Sequence, residues 1–114
     1  MSAITTHILD ISTGFPAVRV PVILEGLIAS GWVQIGNGVT DEDGRLHNLV
    51  PPESTFTPGS YRLIFETGTY FISQNVEGYF FPQITVEFTV RDTRRNYHIP
   101  LLLSPFGYST YRGS

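Results

Sequence analysis

Apolar and polar residues alternate along most of this chain. The clearest run is Gln83-Ile84-Thr85-Val86-Glu87-Phe88-Thr89-Val90-Arg91, where Ile84, Val86, Phe88 and Val90 fall on one side and polar side chains on the other. A period of two marks a strand with one buried face, so this run predicts a half-buried antiparallel strand. Similar runs extend from Ala17 to Leu27, Gly31 to Ile35, Ser60 to Glu66 and Tyr97 to Leu103, each bounded by Gly, Pro, Asn or Asp. A first strand lies in Thr5-Thr6-His7-Ile8-Leu9-Asp10, with Thr5, His7, Leu9 and Ile11 sharing a face. Asp41-Glu42-Asp43-Gly44 and Thr57-Pro58-Gly59-Ser60 read as turns. One short helix is predicted, capped by Thr67, running through residues 68–75 and closing before Gly78. Seven or eight short strands joined by turns make an all-β sandwich. No repeat, low-complexity stretch or linker interrupts it, and 114 residues is a common size for one domain, so residues 1–114 are read as a single domain.

The same alternation sorts the histidines. In Tyr97-His98-Ile99-Pro100-Leu101-Leu102-Leu103, the core face is Tyr97, Ile99, Leu101 and Leu103, which turns His98, Pro100 and Leu102 the other way. That second face is too apolar for plain solvent surface, and a subunit interface containing His98 is expected there. Pro100, lacking an N–H, favours an edge or a bulge over an internal strand.

Composition narrows the classes. Only 15% of residues are charged against 41% hydrophobic, which leaves little charge to coat a monomer and again suggests contact with other subunits. A net charge of -3 without a basic run argues against nucleic acid. No apolar stretch approaches the ~20 residues of a membrane span. Met1-Ser2-Ala3 leads into strand-like sequence without a basic or apolar leader, so a cytoplasmic protein is expected.

The absences bear on chemistry. There is no cysteine, hence no thiol nucleophile, disulfide or thiolate metal site. All seven basic residues are arginine, which removes lysine Schiff bases. Proton transfer near neutrality falls to His7, His47 and His98 unless a carboxylate is raised. The histidines and acids match no compact metal-ligand spacing, so neither a metal nor another cofactor is expected. His47, just past the Asp43-Gly44-Arg45 turn, reads as exposed and receives no role, and neither do Arg91, Arg94 and Arg95. Tyr111-Arg112-Gly113-Ser114 is unusual for a frayed tail. Arg112 suits an anion, Gly113 permits close backbone approach, and Ser114 offers a hydroxyl.

These residues fall into three ordered motifs: His7-Ile8-Leu9-Asp10-Ile11-Ser12-Thr13-Gly14-Phe15-Pro16-Ala17, Thr40-Asp41-Glu42-Asp43-Gly44-Arg45, and Tyr97-His98-Ile99-Pro100-Leu101-Leu102-Leu103-Ser104-Pro105-Phe106-Gly107-Tyr108-Ser109-Thr110. Together they span nearly the whole chain and resemble the signatures of the transthyretin-like proteins. The Tyr-Arg-Gly-Ser ending and a histidine at position 7 resemble the 5-hydroxyisourate hydrolase branch rather than the thyroid-hormone carriers.

The resemblance implies a transthyretin-like β-sandwich of two four-stranded sheets and a short helix, assembled as a homotetramer with sites in a channel between dimers. It implies hydrolysis of 5-hydroxyisourate to 2-oxo-4-hydroxy-4-carboxy-5-ureidoimidazoline in urate degradation. It implies a site made of His7, Arg45, His98 and Tyr111 to Ser114. Ring opening needs a base for water, a role open to His98 or His7, and stabilisation of developing negative charge, suited to Arg45 and Arg112. Ser114 would orient water or substrate, and Tyr111, Arg112 and Gly113 would bind substrate. Two rival readings are a transthyretin-like carrier of a small ligand without catalysis, and a structural sandwich pairing through its edges. Ionisable groups in the channel count against the carrier.

Overall fold

The computed structural model describes residues 3–114, so Met1 and Ser2, which the expected leader-free start rests on, lie outside the described residues. The elements in chain order are β1 (Ile4–Asp10), β2 (Phe15–Pro16), β3 (Pro21–Ile28), β4 (Gly31–Val39), β5 (Arg45–Leu46), β6 (Gly59–Phe65), α1 (Thr67–Ser73), β7 (Ile84–Val90), β8 (Tyr97–Ser104) and β9 (Gly107–Thr110).

Two sheets form the sandwich, one of five strands in the order β2-β1-β8-β9 with β5 also on β1, the other of four in the order β4-β3-β6-β7. The fifth strand does not widen the first sheet. β8 pairs along one edge of β1 from Ile4 to Asp10, so β5, at Thr6 and His7, and β2, at Leu9 and Asp10, lie end to end on the other edge. The pairing of β1 with β8 is parallel, and every other named strand pair is antiparallel. Alternation along one strand carries no information about its partner's direction.

The core lies between the sheets. Ile4 and Ile8 of β1, Leu24 of β3, Leu63 and Phe65 of β6, Ile84 of β7 and Leu101 and Leu103 of β8 are buried there. The predicted faces of β1, β7 and β8 are the observed ones. Two polar residues of β1 also point inward, and both are satisfied: the Thr6 hydroxyl donates to the Ile99 carbonyl, and Asp10 accepts from the Tyr70 hydroxyl at 2.7 Å.

Several boundaries differ from the pattern for local reasons. The strand predicted from Ala17 begins at Pro21, because the chain turns between sheets at residues 17–20 with Arg19 in left-handed conformation (φ 58°). β4 runs on past Ile35 to Val39, pairing Gly36, Asn37 and Gly38 with β3 through backbone alone. Thr57-Pro58-Gly59-Ser60 does not form a turn: Pro58 makes a bend and β6 begins at Gly59.

Thr67 does not cap the helix. Its hydroxyl donates to the Phe81 carbonyl, while Gly68 N–H reaches the Pro82 carbonyl, so the 81–82 loop satisfies the helix start. The helix closes at Asn75 (φ 59°), before Gly78 as expected: Val76 N–H bonds back to Phe71 and Asn75 N–H to Ile72, a Schellman closure with asparagine in the glycine position.

Pro100 is inside the sheet rather than at an edge or a bulge. Its partners in the fold explain how that is tolerated. Pro100 faces His7 across β1 in a regular register, and its carbonyl, like that of His98, points to the β9 side, where it accepts from the Thr110 hydroxyl. The missing N–H therefore faces β9, and there the ladder stops at Thr110 and resumes only at the His98–Gly113 bridge.

Candidate functional site

The outer face of the five-stranded sheet carries the ionisable residues in two adjacent rungs. Arg45, His7 and Pro100 are cross-strand partners in one, and Thr5, His98 and Gly113 in the next. Partners in a ladder share a face, so the turn, the first strand, the eighth strand and the tail present these side chains together.

Each element is held in place by its own sequence. Asp41 Oδ1 accepts the N–H groups of Asp43 and Arg45, which holds its carboxyl below the ordinary value. Gly44 takes φ 74°, and its carbonyl accepts Ile8 N–H at 2.8 Å. A Cβ there would stand 2.5 Å from the Ile8 carbonyl oxygen, so the acidic turn needs glycine to lie against β1 and deliver Arg45 opposite His7.

His98 is fixed from both sides. Its Nδ1 lies 2.7 Å from Thr5 Oγ1. On the other flank, Gly113 donates its N–H to the His98 carbonyl at 2.8 Å and packs against Cδ2. His98 lines a cavity on this face.

That cavity has a volume of about 850 Å3 and is lined by Thr5, Arg45, His47, Asn48, Val50, Pro52, Asn96, His98 and Ser114. No carboxylate side chain lines it, and Arg45 is its permanent cation. Burial pushes the His98 pKa below its ordinary value, and the charges of Arg45, His7 and His47 push it the same way. At neutral pH His98 is therefore an uncharged imidazole, able to accept a proton. Around it, guanidinium, amide and hydroxyl groups suit a planar, carbonyl-rich anion.

Of the residues expected at the site, Arg45, His98 and Ser114 line this cavity and His7 stands in the adjoining rung. Gly113 abuts His98. Arg112 and Tyr111 lie outside this cavity and, with His98, line a second one of about 240 Å3. Alternation along the tail turns Arg112 away from Gly113, and its guanidinium carbon sits 4.7 Å above the Tyr97 ring. Tyr111 is 58% exposed. His47, Asn48, Asn96 and Thr5 line the cavity without having been singled out as site residues. For His47 and Thr5 the signal was present: each is two residues from a site residue, Arg45 and His7, and so shares its face. Among the described residues no group of three or more His, Cys, Asp or Glu is arranged to hold a metal ion, and no helix is long and apolar enough to cross a membrane.

Residues 4–113 match the model of the HIUase/Transthyretin family. The chain is 52% identical over 111 residues to a 5-hydroxyisourate hydrolase of Salmonella dublin, covering 97% of this chain and 80% of that protein. A 5-hydroxyisourate hydrolase of Mus musculus is 40% identical over 115 residues, covering 99% and 96%. Among solved structures, 5-hydroxyisourate hydrolase of Klebsiella pneumoniae superposes with a TM-score of 0.83 at 37% identity, covering 100% of both chains. Sea bream transthyretin in complex with thyroxine does so at 0.89 and 37%, covering 97% of this chain and 94% of that one.

Proposed function

The chain belongs to the HIUase/Transthyretin family, and from that premise and the groups around His98 we propose that it hydrolyses 5-hydroxyisourate to 2-oxo-4-hydroxy-4-carboxy-5-ureidoimidazoline in urate degradation. The observation that carries the reading is His98 held between Thr5 and Gly113 at a cavity whose one permanently charged side chain is Arg45.

His98 Nε2 takes a proton from water as the water oxygen bonds to the ring carbonyl carbon. The carbonyl oxygen becomes an anion, stabilised by Arg45. The C–N bond then breaks, its electron pair goes to nitrogen, and the His98 imidazolium returns the proton there. The oxyanion re-forms the carbonyl, and the opened ring carries a ureido group and a carboxylic acid that loses its proton to solvent as the carboxylate, with no cofactor needed. His7 adds a polar partner beside Arg45, and Ser114 orients water or substrate. Gly113 seats the tail, while Tyr111 and Arg112 support it from outside the cavity.

The protein works as a cytoplasmic homotetramer in this reading. Low charge content and the exposed rings of Phe15 (70%) and Phe106 (72%) support association. A carrier of an apolar ligand fits less well, since His98, His47, Asn48, Asn96 and Arg45 would each lose hydration to it.

The test is to generate 5-hydroxyisourate with urate oxidase and follow its absorbance decay with and without the protein. Acceleration lost in a folded His98→Gln variant supports the hydrolase. No acceleration by the folded protein overturns it and favours the carrier.

A further inference from the structure

We propose that Thr5 is a positioning residue that fixes the tautomer of His98, its hydroxyl accepting a hydrogen bond from Nδ1–H and so keeping the lone pair on Nε2. The inference rests on the hydrolase reading, in which His98 is the base.

Thr5 and His98 are direct partners in the parallel β1–β8 ladder, and Thr5 Oγ1 lies 2.7 Å from Nδ1. A hydroxyl can donate or accept. If it donated, Nδ1 would hold the lone pair, Nε2 would carry the proton, and the nitrogen at the cavity could not deprotonate water. A base that meets water through Nε2 needs the other choice, with Nδ1–H donating to Thr5 Oγ1. Arg45 on β5, His47 just beyond it and His7 on β1 are the groups whose positive charge disfavours a second proton on the ring. On the flank opposite Thr5, Gly113 lies against Cδ2, where an added Cβ would come within 2.6 Å, so the ring is bounded by the tail on that side. Thr5 itself lines the cavity, where its own proton remains available to water or substrate.

The arrangement makes a threonine hydroxyl do for His98 what a carboxylate does for the histidine of a catalytic triad, without adding a negative charge. A carboxylate would raise the proton affinity of the ring and leave more of it as imidazolium at neutral pH. A neutral acceptor orients the ring and leaves it uncharged.

The test combines nitrogen NMR of histidine-labelled protein with kinetics of Thr5→Val and Thr5→Ser. Wild type at pH 8 is expected to show His98 as the Nδ1–H tautomer. Thr5→Val, which keeps the branched shape, should move His98 towards Nε2–H and lower kcat roughly 10- to 100-fold with KM little changed, and Thr5→Ser should restore both. A wild-type His98 protonated on Nε2, or a Thr5→Val protein with unchanged tautomer and kcat, overturns the proposal. If Thr5→Val fails to fold, the wild-type tautomer decides alone. A wild type with the Nδ1–H tautomer but no hydrolysis would overturn the hydrolase reading and leave the hydrogen bond in place.

Discussion

The Gly113 N–H donates to the His98 carbonyl at 2.8 Å, and a Cβ on Gly113 would stand 2.6 Å from His98 Cδ2 and 3.1 Å from Pro100 Cγ. The tail thus reaches the site because position 113 has no side chain. Pro100, by leaving the ladder without a donor, frees Tyr111 and Arg112 just before the contact.

Gly113→Ala is therefore expected to lift the tail off His98 and carry Ser114 out of the cavity. A displacement on the order of 1 Å costs about 100-fold in rate, so kcat/KM should fall by about that factor while the melting temperature changes little. Steady-state kinetics beside thermal unfolding checks this, and an unchanged kcat/KM would remove the tail from the mechanism.

Arg45→Gln should weaken hydrolysis and also raise the His98 pKa, since the Arg45 charge is one of the causes holding it down. The acid limb of kcat/KM, which marks protonation of the base, should move to higher pH. Titration of His98 by NMR in both proteins measures the same shift directly.

His98 binds its proton less tightly in the folded chain than its ordinary value of 6.5 implies. Below that value the unfolded chain binds more protons, so folding stability rises with pH in the window under 6.5. The His98 contribution is complete above the unfolded value and is lost as pH falls through the folded one. Urea midpoints of wild type should drop more between pH 7 and pH 5 than those of His98→Gln.

Tyr70→Phe leaves one oxygen of the buried Asp10 carboxylate without its donor. The other oxygen keeps Ser12. The loss is expected to cost about 1–3 kcal/mol, read from urea unfolding, with hydrolysis at low temperature unaffected because Asp10 faces the core.

Arg112→Met removes the cation above the Tyr97 ring while keeping a long side chain. Such contacts contribute about 0.5–1 kcal/mol at exposed sites, so the tail should loosen partially and kcat/KM should fall less than in Gly113→Ala. A loss as large as that of Arg45→Gln would mean that Arg112 meets the substrate itself.

By itself the sequence determined the strands, their faces and the chemistry on offer. Hydrophobic alternation is local, so Ile84 to Val90 and Tyr97 to Leu103 could be sorted into inside and outside without any partner. The turn at Asp41 to Gly44 was equally legible, because its acceptor and its left-handed glycine lie within four residues. His7, Arg45, His98 and the tail drew notice through residue type and through resemblance to a family. Only the tertiary structure decided that β1 runs parallel to β8, that Pro100 sits inside the sheet, and that the Thr5 hydroxyl meets His98. It also turned Thr67 from a helix cap into a donor to Phe81 and sent Arg112 over Tyr97. Each of those outcomes depends on a partner distant in the chain: Thr5 and His98 are 93 residues apart in sequence. A pattern of period two tells which face a residue takes; which residues meet it there is set by strand order and register.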